Sequence, residues 1–212
     1  MKPGRFITLE GGEGVGKSTQ SRLLAASLRA CGLTVDCTRE PGGTPGAEAI
    51  RALVLSETGD PWGACAEALL FAAARADHVE KRIIPMLAQG TWVICDRFID
   101  STRAYQGGGG GLDDTKILDL HRIGSGGLLP DLTILLDVPA DVAARRLARR
   151  DQGQSDAIGG RDPAYHARVA QAFHTLAKAE PARFRCIAAD GTPDETHALI
   201  MLAIQPLMDH PA

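Results

Sequence analysis

Residues Gly11 to Ser18 read GGEGVGKS, the pattern GxxxxGKS/T, and no other stretch of the chain restricts its fold as tightly. An apolar run, Arg5 to Glu10 (RFITLE), precedes it. A helical pattern follows, in which Leu24, Leu28 and Cys31 recur at i, i+4, i+7 before Gly32 offers a stop. Strand, glycine loop and helix in that order form the context the pattern needs. The glycines let backbone N–H groups turn inward around phosphate oxygens with no Cβ in the way, and the helix N-terminus adds its positive dipole end. Gly11, Gly12, Glu13, Gly14, Val15, Gly16, Lys17, Ser18 and Thr19 are therefore expected to hold a nucleoside triphosphate. Within that set Lys17 supplies a cation to the β- and γ-phosphates, and the Ser18 hydroxyl is a ligand for Mg²⁺.

The rest of the chain repeats the alternation. A second strand is predicted over Thr34–Thr38, ending at Arg39-Glu40-Pro41-Gly42-Gly43, where proline and glycine force a turn. Helical composition covers Ala47–Leu55 and Cys65–Gln89, with Pro85 expected to interrupt the latter. Thr91–Cys95 (TWVIC) is a buried-type strand that delivers Asp96-Arg97; Leu132–Leu136 (LTILL) delivers Asp137; Phe184–Ala189 is a fifth strand. The expected fold class is α/β: one domain over residues 1–212 with a doubly wound, parallel, five-stranded sheet flanked by helices, its site at the C-terminal edge. Tyr165, Val169, Phe173 and Leu176 recur at i, i+4, i+8, i+11 and are predicted core. Gly107–Gly111 and Asp151–Arg161 resist regular structure. They are expected to be loops, and Tyr105-Gln106 and Arg145–Arg150 beside them make both candidates for movement over a ligand.

Composition narrows the function. With 23% charged residues and a net charge of −3, nothing marks the surface as a partner for nucleic acid or anionic membrane, so phosphate chemistry must come from local cations. The five cysteines (Cys31, Cys37, Cys65, Cys95, Cys186) are scattered, with no zinc-ligand spacing, and read as reduced thiols. No basic-then-apolar leader and no long apolar run is seen, so the expected location is cytoplasmic. The chain contains no asparagine, which rules out a guanine-reading NKxD motif. Asp96 and Asp137 are rival strand-end carboxylates for Mg²⁺, with Asp96 favoured because Arg97 follows it. Arg146 and Arg150 share one helix face and Arg145 and Arg149 another, which points to an anion nearby.

In order along the chain stand LEGGEGVGKST, TREPGGT, FAAAR (Phe71 to Arg75), GTWVICDRF, STRAYQGGGGG and PDLTILLDV. In these six segments the chain resembles the bacterial thymidylate kinases. The resemblance implies a P-loop nucleoside-monophosphate-kinase fold, a small arginine-bearing lid over about residues 145–162, a homodimer, and transfer of the γ-phosphoryl group of Mg·ATP to dTMP. It assigns Arg97 and Arg75 to the dTMP phosphate, Phe71 to stacking on thymine, and Thr102 with Gln106 to the neighbourhood of the base. Tyr105 lies against the sugar, Glu13 meets the 3′-hydroxyl, and Arg39 and Arg51 are further acceptor-side arginines. Lys17, Arg97 and the lid residues Arg146 and Arg150 are the implied catalytic cations.

The chemistry agrees. A phosphomonoester with a second pKa of about 6 is already an anionic nucleophile, so positioning and charge neutralisation suffice and arginine forks suit the task. Two departures stand out: Gly110 where many relatives carry arginine, and Asp156-Ala157 where they carry Asp-Arg, with Arg161 a candidate replacement. Two rivals remain open at this point. One is a related kinase with another acceptor, the other a P-loop switch ATPase without one.

Overall fold

The structure, a computed structural model, describes residues 4–56, 62–151 and 157–209; the side chains of residues 150 and 151 lie outside that description. Five strands, β1 (Phe6–Glu10), β2 (Val35–Arg39), β3 (Trp92–Asp96), β4 (Leu132–Asp137) and β5 (Phe184–Ala188), form a parallel sheet in the order β2-β3-β1-β4-β5. The expected five strands are all present, with bounds shifted by a residue for β2 and β3.

Side chains alternate across the sheet. Ile7, Leu9, Ile94 and Ile134 face a core shared with Leu24 and Leu28 of α1 (Lys17–Ala30) and Ile200 and Ile204 of α9 (Pro193–Asp209). Phe6, Val93 and Cys95 face the other side with Phe98, Ile99, Ile83 and Ile117. Both faces of β1, β3 and β4 are thus covered, which is why their sequences read as nearly continuous apolar runs. The sheet order reverses beside β1, so the crevice beyond its C-terminal end is the switch point where such folds bind ligands.

The helices that shape the site have local causes. Helix α2 (Pro45–Val54) starts at Thr44, whose side chain accepts from the Ala47 amide at 3.3 Å, with proline in the first turn. Helix α3 (Ala64–His78) runs into a π turn, Val79–Ile83, and then α4 (Ile84–Ala88), where Pro85 sits in the first turn. The expected interruption by Pro85 therefore takes the form of a widened turn just before it, which spares the chain a ladder bond that proline cannot donate. After β3 come the short α5 (Ile99–Thr102) and a second π segment, Arg103–Gly109, followed by α6 (Asp114–Ser125).

That second π segment corrects the expectation of a loop for Gly107, Gly108 and Gly109, while Gly110 and Gly111 lie outside regular structure as expected. Gly109 is buried against α8 (Pro163–Ala179): a Cβ there would stand 2.6 Å from the Tyr165 ring and 2.8 Å from a Val169 methyl. Gly108 is equally close to Ala172. Hydrogen atoms in place of side chains let the two helical segments touch, and the predicted core residues Tyr165, Val169, Phe173 and Leu176 fill that contact. Helix α7 (Ala140–Asp151) carries the arginine pairs; part of the expected lid, residues 152–156, lies outside the described residues. No helix among the described residues is long and apolar enough to cross a membrane.

Candidate active site

The glycine loop leaves β1 and enters α1 with Gly11, Gly14 and Gly16 at φ of 132°, 74° and 101°, conformations that a side chain would strain. Lys17 folds back over the loop: its Nζ donates to the carbonyls of Gly11 at 3.1 Å and Gly12 at 2.6 Å, and the residue is 7% exposed. Burial, with help from the nearby Arg97 charge, lowers its pKa to about 8 against the pull of Glu13 and Asp96. Ser18 donates from Oγ to Asp96 Oδ2 at 2.7 Å. Val15 differs from its neighbours, because its side chain belongs to the core and only its backbone serves the loop.

Register explains the choice between the two strand-end carboxylates. Asp96 pairs with Leu9 near the end of β1, so it stands level with the start of the loop. In β4, Leu135 already pairs with Glu10, and Asp137 lies two residues further on, exposed and 3.5 Å from His174 Nε2. Asp96 borders the cavity described below; Asp137 does not. Hydroxyl and carboxylate oxygens in contact are a donor set that suits a hard cation such as Mg²⁺, which takes one or two protein oxygens and leaves the rest to phosphate and water. Among the described residues no cage of three or more His, Cys, Asp or Glu side chains exists for any metal.

Opposite the loop stands Arg97, whose backbone is left-handed at φ 70°. Such a conformation in a non-glycine residue needs support, and Glu10 provides it. The Phe98 amide donates to Glu10 Oε1 at 2.7 Å and Ser101 Oγ to Oε2 at 2.6 Å. Burial, reinforced by Asp100, raises the Glu10 pKa to about 8. The Arg97 guanidinium is thereby aimed into the crevice. It donates to the Gly11 carbonyl at 3.0 Å, Ser101 Oγ at 3.1 Å and the Tyr105 hydroxyl at 3.0 Å, forms an ion pair with Glu13, and lies 4.9 Å above the Tyr105 ring. Burial works against its charge, but Glu13, Tyr105 and Asp96 outweigh that and raise its pKa.

The third wall is helix α3. Glu67, Phe71, Arg75 and His78 recur at i, i+4, i+8, i+11 and share one face. Arg75, 2% exposed, donates from Nε to Glu40 at 2.7 Å and from Nη2 to Thr102 Oγ1 at 2.9 Å, with its guanidinium 5.2 Å over the Phe98 ring. His78 Nδ1 lies 3.0 Å from the second Glu40 oxygen. Phe71 is half-buried against the cluster containing Tyr105 and Leu135. Gln106 donates to Glu67, which also pairs with Arg161.

These groups enclose one cavity of about 540 Å³, lined among others by Glu13, Gly14, Gly16, Lys17, Ser18, Thr19, Phe71, Arg75, Asp96, Arg97, Thr102, Tyr105 and Gln106. Arg39, Arg51 and Arg146 also reach it. Arg39 is exposed and pairs with Glu48 at 3.1 Å, and Arg51 donates to the Pro41 carbonyl at 2.8 Å. Arg146 is held at the cavity rim by the carbonyls of Ala189 at 2.8 Å and Gly191 at 3.3 Å. The side chain of Arg150 lies outside the described residues. Arg161, the candidate replacement for a missing lid arginine, pairs with Glu67 on α3, lies 4.7 Å over the Tyr165 ring and does not line the cavity.

Sequence reasoning missed Glu10, Glu40, Glu67 and Ser101. Glu67 carried a usable signal, since it precedes Phe71 and Arg75 at helical spacing. Glu40 lay inside the TREPGGT segment, but nothing local connects it with Arg75, 35 residues on.

A parallel sheet with its glycine loop at the switch point, facing a second cationic pocket across the same crevice, defines a P-loop phosphotransferase of the nucleoside-monophosphate-kinase type. A family model described as thymidylate kinase matches residues 9–200. A thymidylate kinase of Rhizorhabdus wittichii is 58% identical over 206 residues, covering 97% of this chain and 99% of that protein. One from a Bradyrhizobium species is 50% identical over 203 residues, covering 95% and 90%. The crystal structure of thymidylate kinase from Ehrlichia chaffeensis aligns with a TM-score of 0.77 at 36% identity, covering 96% of this chain and 100% of that one. The chain belongs to the thymidylate kinase family.

Proposed function

We propose that the chain carries out the ATP-dependent phosphorylation of dTMP to dTDP, with a triphosphate in the glycine loop and the monophosphate held against Arg97. The acceptor phosphate oxygen forms a bond to the γ-phosphorus as the bond to the bridging oxygen of the departing ADP breaks. The observation that carries this reading is the convergence of Lys17, the Ser18–Asp96 pair and Arg97 on one cavity. A P-loop switch ATPase would have no use for a second cationic pocket so closely built.

In this reading Ser18 and Asp96 would hold Mg²⁺, which would supply charge neutralisation to the transferring phosphate. Lys17 spreads its charge over the same oxygens. Arg97 fixes the acceptor phosphate in line, and its rigid backing by Glu10 and Ser101 holds that alignment without reorganisation. Arg75 joins Arg97 at the acceptor phosphate, Phe71 stacks on the base beside Thr102 and Gln106, Tyr105 closes on the sugar and Glu13 meets its 3′-hydroxyl. Arg39 and Arg51 flank the acceptor, and Arg146 with Arg150 serves the donor phosphates from the lid. No side chain has to act as a general base.

The family resemblance also supports a homodimer. Leu69 on α3 and Ile123 on α6, 51% and 81% exposed on helices that pack together, provide apolar surface for it. Sedimentation velocity tests this, with a monomer at micromolar concentration as the contrary outcome. A cytoplasmic location and small-molecule partners alone complete the reading.

Measuring ADP release across an acceptor panel tests the activity. A strong response to dTMP, a weaker one to dUMP and almost none to AMP, CMP or thymidine is expected. Equal rates with and without dTMP would point to the switch ATPase.

A further inference from the structure

Glu67 is a buried carboxylate, 2% exposed, that takes no part in the mechanism above. One of its oxygens accepts from Gln106 Nε2 at 3.0 Å and the other pairs with Arg161. As the partner of a guanidinium it acts as a carboxylate, which can accept hydrogen bonds and donate none. A glutamine amide facing such a group has one workable orientation, NH₂ toward the carboxylate. The carbonyl oxygen of Gln106, a residue 1% exposed that borders the cavity, is then the end left for a ligand.

We infer that Glu67 is a positioning residue that locks the Gln106 amide with its carbonyl toward the acceptor ring, so that the site selects a pyrimidine whose N3 carries a hydrogen. This deepens the function proposed above and rests on the acceptor base lying beside Gln106. A thymine or uracil ring offers N3–H to that carbonyl. A cytosine ring offers a lone pair at N3, and two acceptors would then face each other in a dry site. Leaving a buried polar group unpaired in this way lowers affinity by about 10- to 100-fold. Discrimination thus needs the amide to be unable to turn over, and Glu67 is the group that prevents it. Arg161 keeps the carboxylate paired and, stacked on Tyr165, is itself held: the Tyr165 hydroxyl donates to the Tyr105 carbonyl at 2.9 Å, so lid flank and acceptor wall form one connected unit.

The test is steady-state kinetics of wild type and E67Q with dTMP, dUMP and dCMP at saturating ATP. An amide at position 67 can donate or accept, which frees Gln106 to turn. The ratio of kcat/KM for dTMP over dCMP is expected to fall at least about 10-fold, with KM for ATP unchanged. The exchange variant E67Q/Q106E presents an acceptor to the ring whichever way residue 67 turns, and is expected to recover most of that ratio. A merely structural Glu67 would instead raise KM for all three acceptors alike and leave the ratio unchanged within about twofold, which would overturn the inference. A crystal structure of the wild type with dTMP reads the same point without substitution: Gln106 Oε1 within hydrogen-bond reach of ring N3 is expected, and Nε2 turned to the ring overturns it. Failure of the wild type to use dTMP at all would sink the functional reading; an active wild type with an indifferent E67Q would sink only this one.

Discussion

Lys17 should make the protein less stable than it would be without it, and the size of the effect can be worked out. Its pKa falls from 10.5 to about 8 on burial beside Arg97. At about 1.36 kcal/mol per pKa unit, holding the ammonium in the folded state costs on the order of 3 kcal/mol relative to a neutral group there. The bonds to the Gly11 and Gly12 carbonyls offset part of this, at about 1 kcal/mol each or less. Replacing Lys17 with methionine, similar in reach and uncharged, should therefore stabilise the fold by about 1–2 kcal/mol at pH 7, or roughly 2–8 °C in Tm for a chain of this length. The sign with pH follows from linkage. Between about pH 8 and 10.5 the unfolded chain binds more protons at this residue than the folded one, so the wild type gains stability as pH rises through that window and K17M does not. The advantage of K17M should be full below pH 8 and gone above 10.5. Denaturant melts at several pH values measure it, and ADP release with dTMP measures the other half: K17M should lose about 100-fold or more in turnover. A K17M protein no more stable than wild type at pH 7, or one with an advantage independent of pH, would refute the reasoning; near-full turnover would remove Lys17 from the mechanism.

Gly109→Ala should destabilise by about 1–3 kcal/mol, since a Cβ would meet the buried Tyr165 ring at 2.6 Å, and thermal melts check this. Asp96→Asn keeps the bond to Ser18 possible but removes the negative charge of the Ser18–Asp96 metal site, so the Mg²⁺ concentration for half-maximal rate should rise about 10-fold or more; an unchanged Mg²⁺ dependence would exclude Asp96. Tyr105→Ala removes a ring under Arg97 and an acceptor for its guanidinium, and should both slow turnover and narrow the preference for deoxyribose over ribose acceptors. A dTMP to ribo-TMP ratio equal to that of the wild type would argue against the sugar role.

Local sequence determined what local physics can encode. The glycine loop was legible because strand, loop and helix adjoin in the chain and the phosphate cradle is made of their own backbone. The five strands were legible because burial on both faces leaves an uninterrupted apolar signature, and the α8 stripe because helical period survives in any context. Asp96 and Asp137 look alike in sequence, each closing an apolar strand. Only the register of β3 and β4 against β1 decides that one stands at Ser18 and the other two residues past the end of β1, beside His174. The glycine run reads as a loop from composition, yet it is the close approach of α8 that makes Gly108 and Gly109 necessary. Glu10, Glu40 and Glu67 owe their roles to partners far along the chain, Phe98, Arg75, Gln106 and Arg161. A buried carboxylate is defined by the donors that tertiary folding brings to it, and those contacts have no counterpart in the residues on either side.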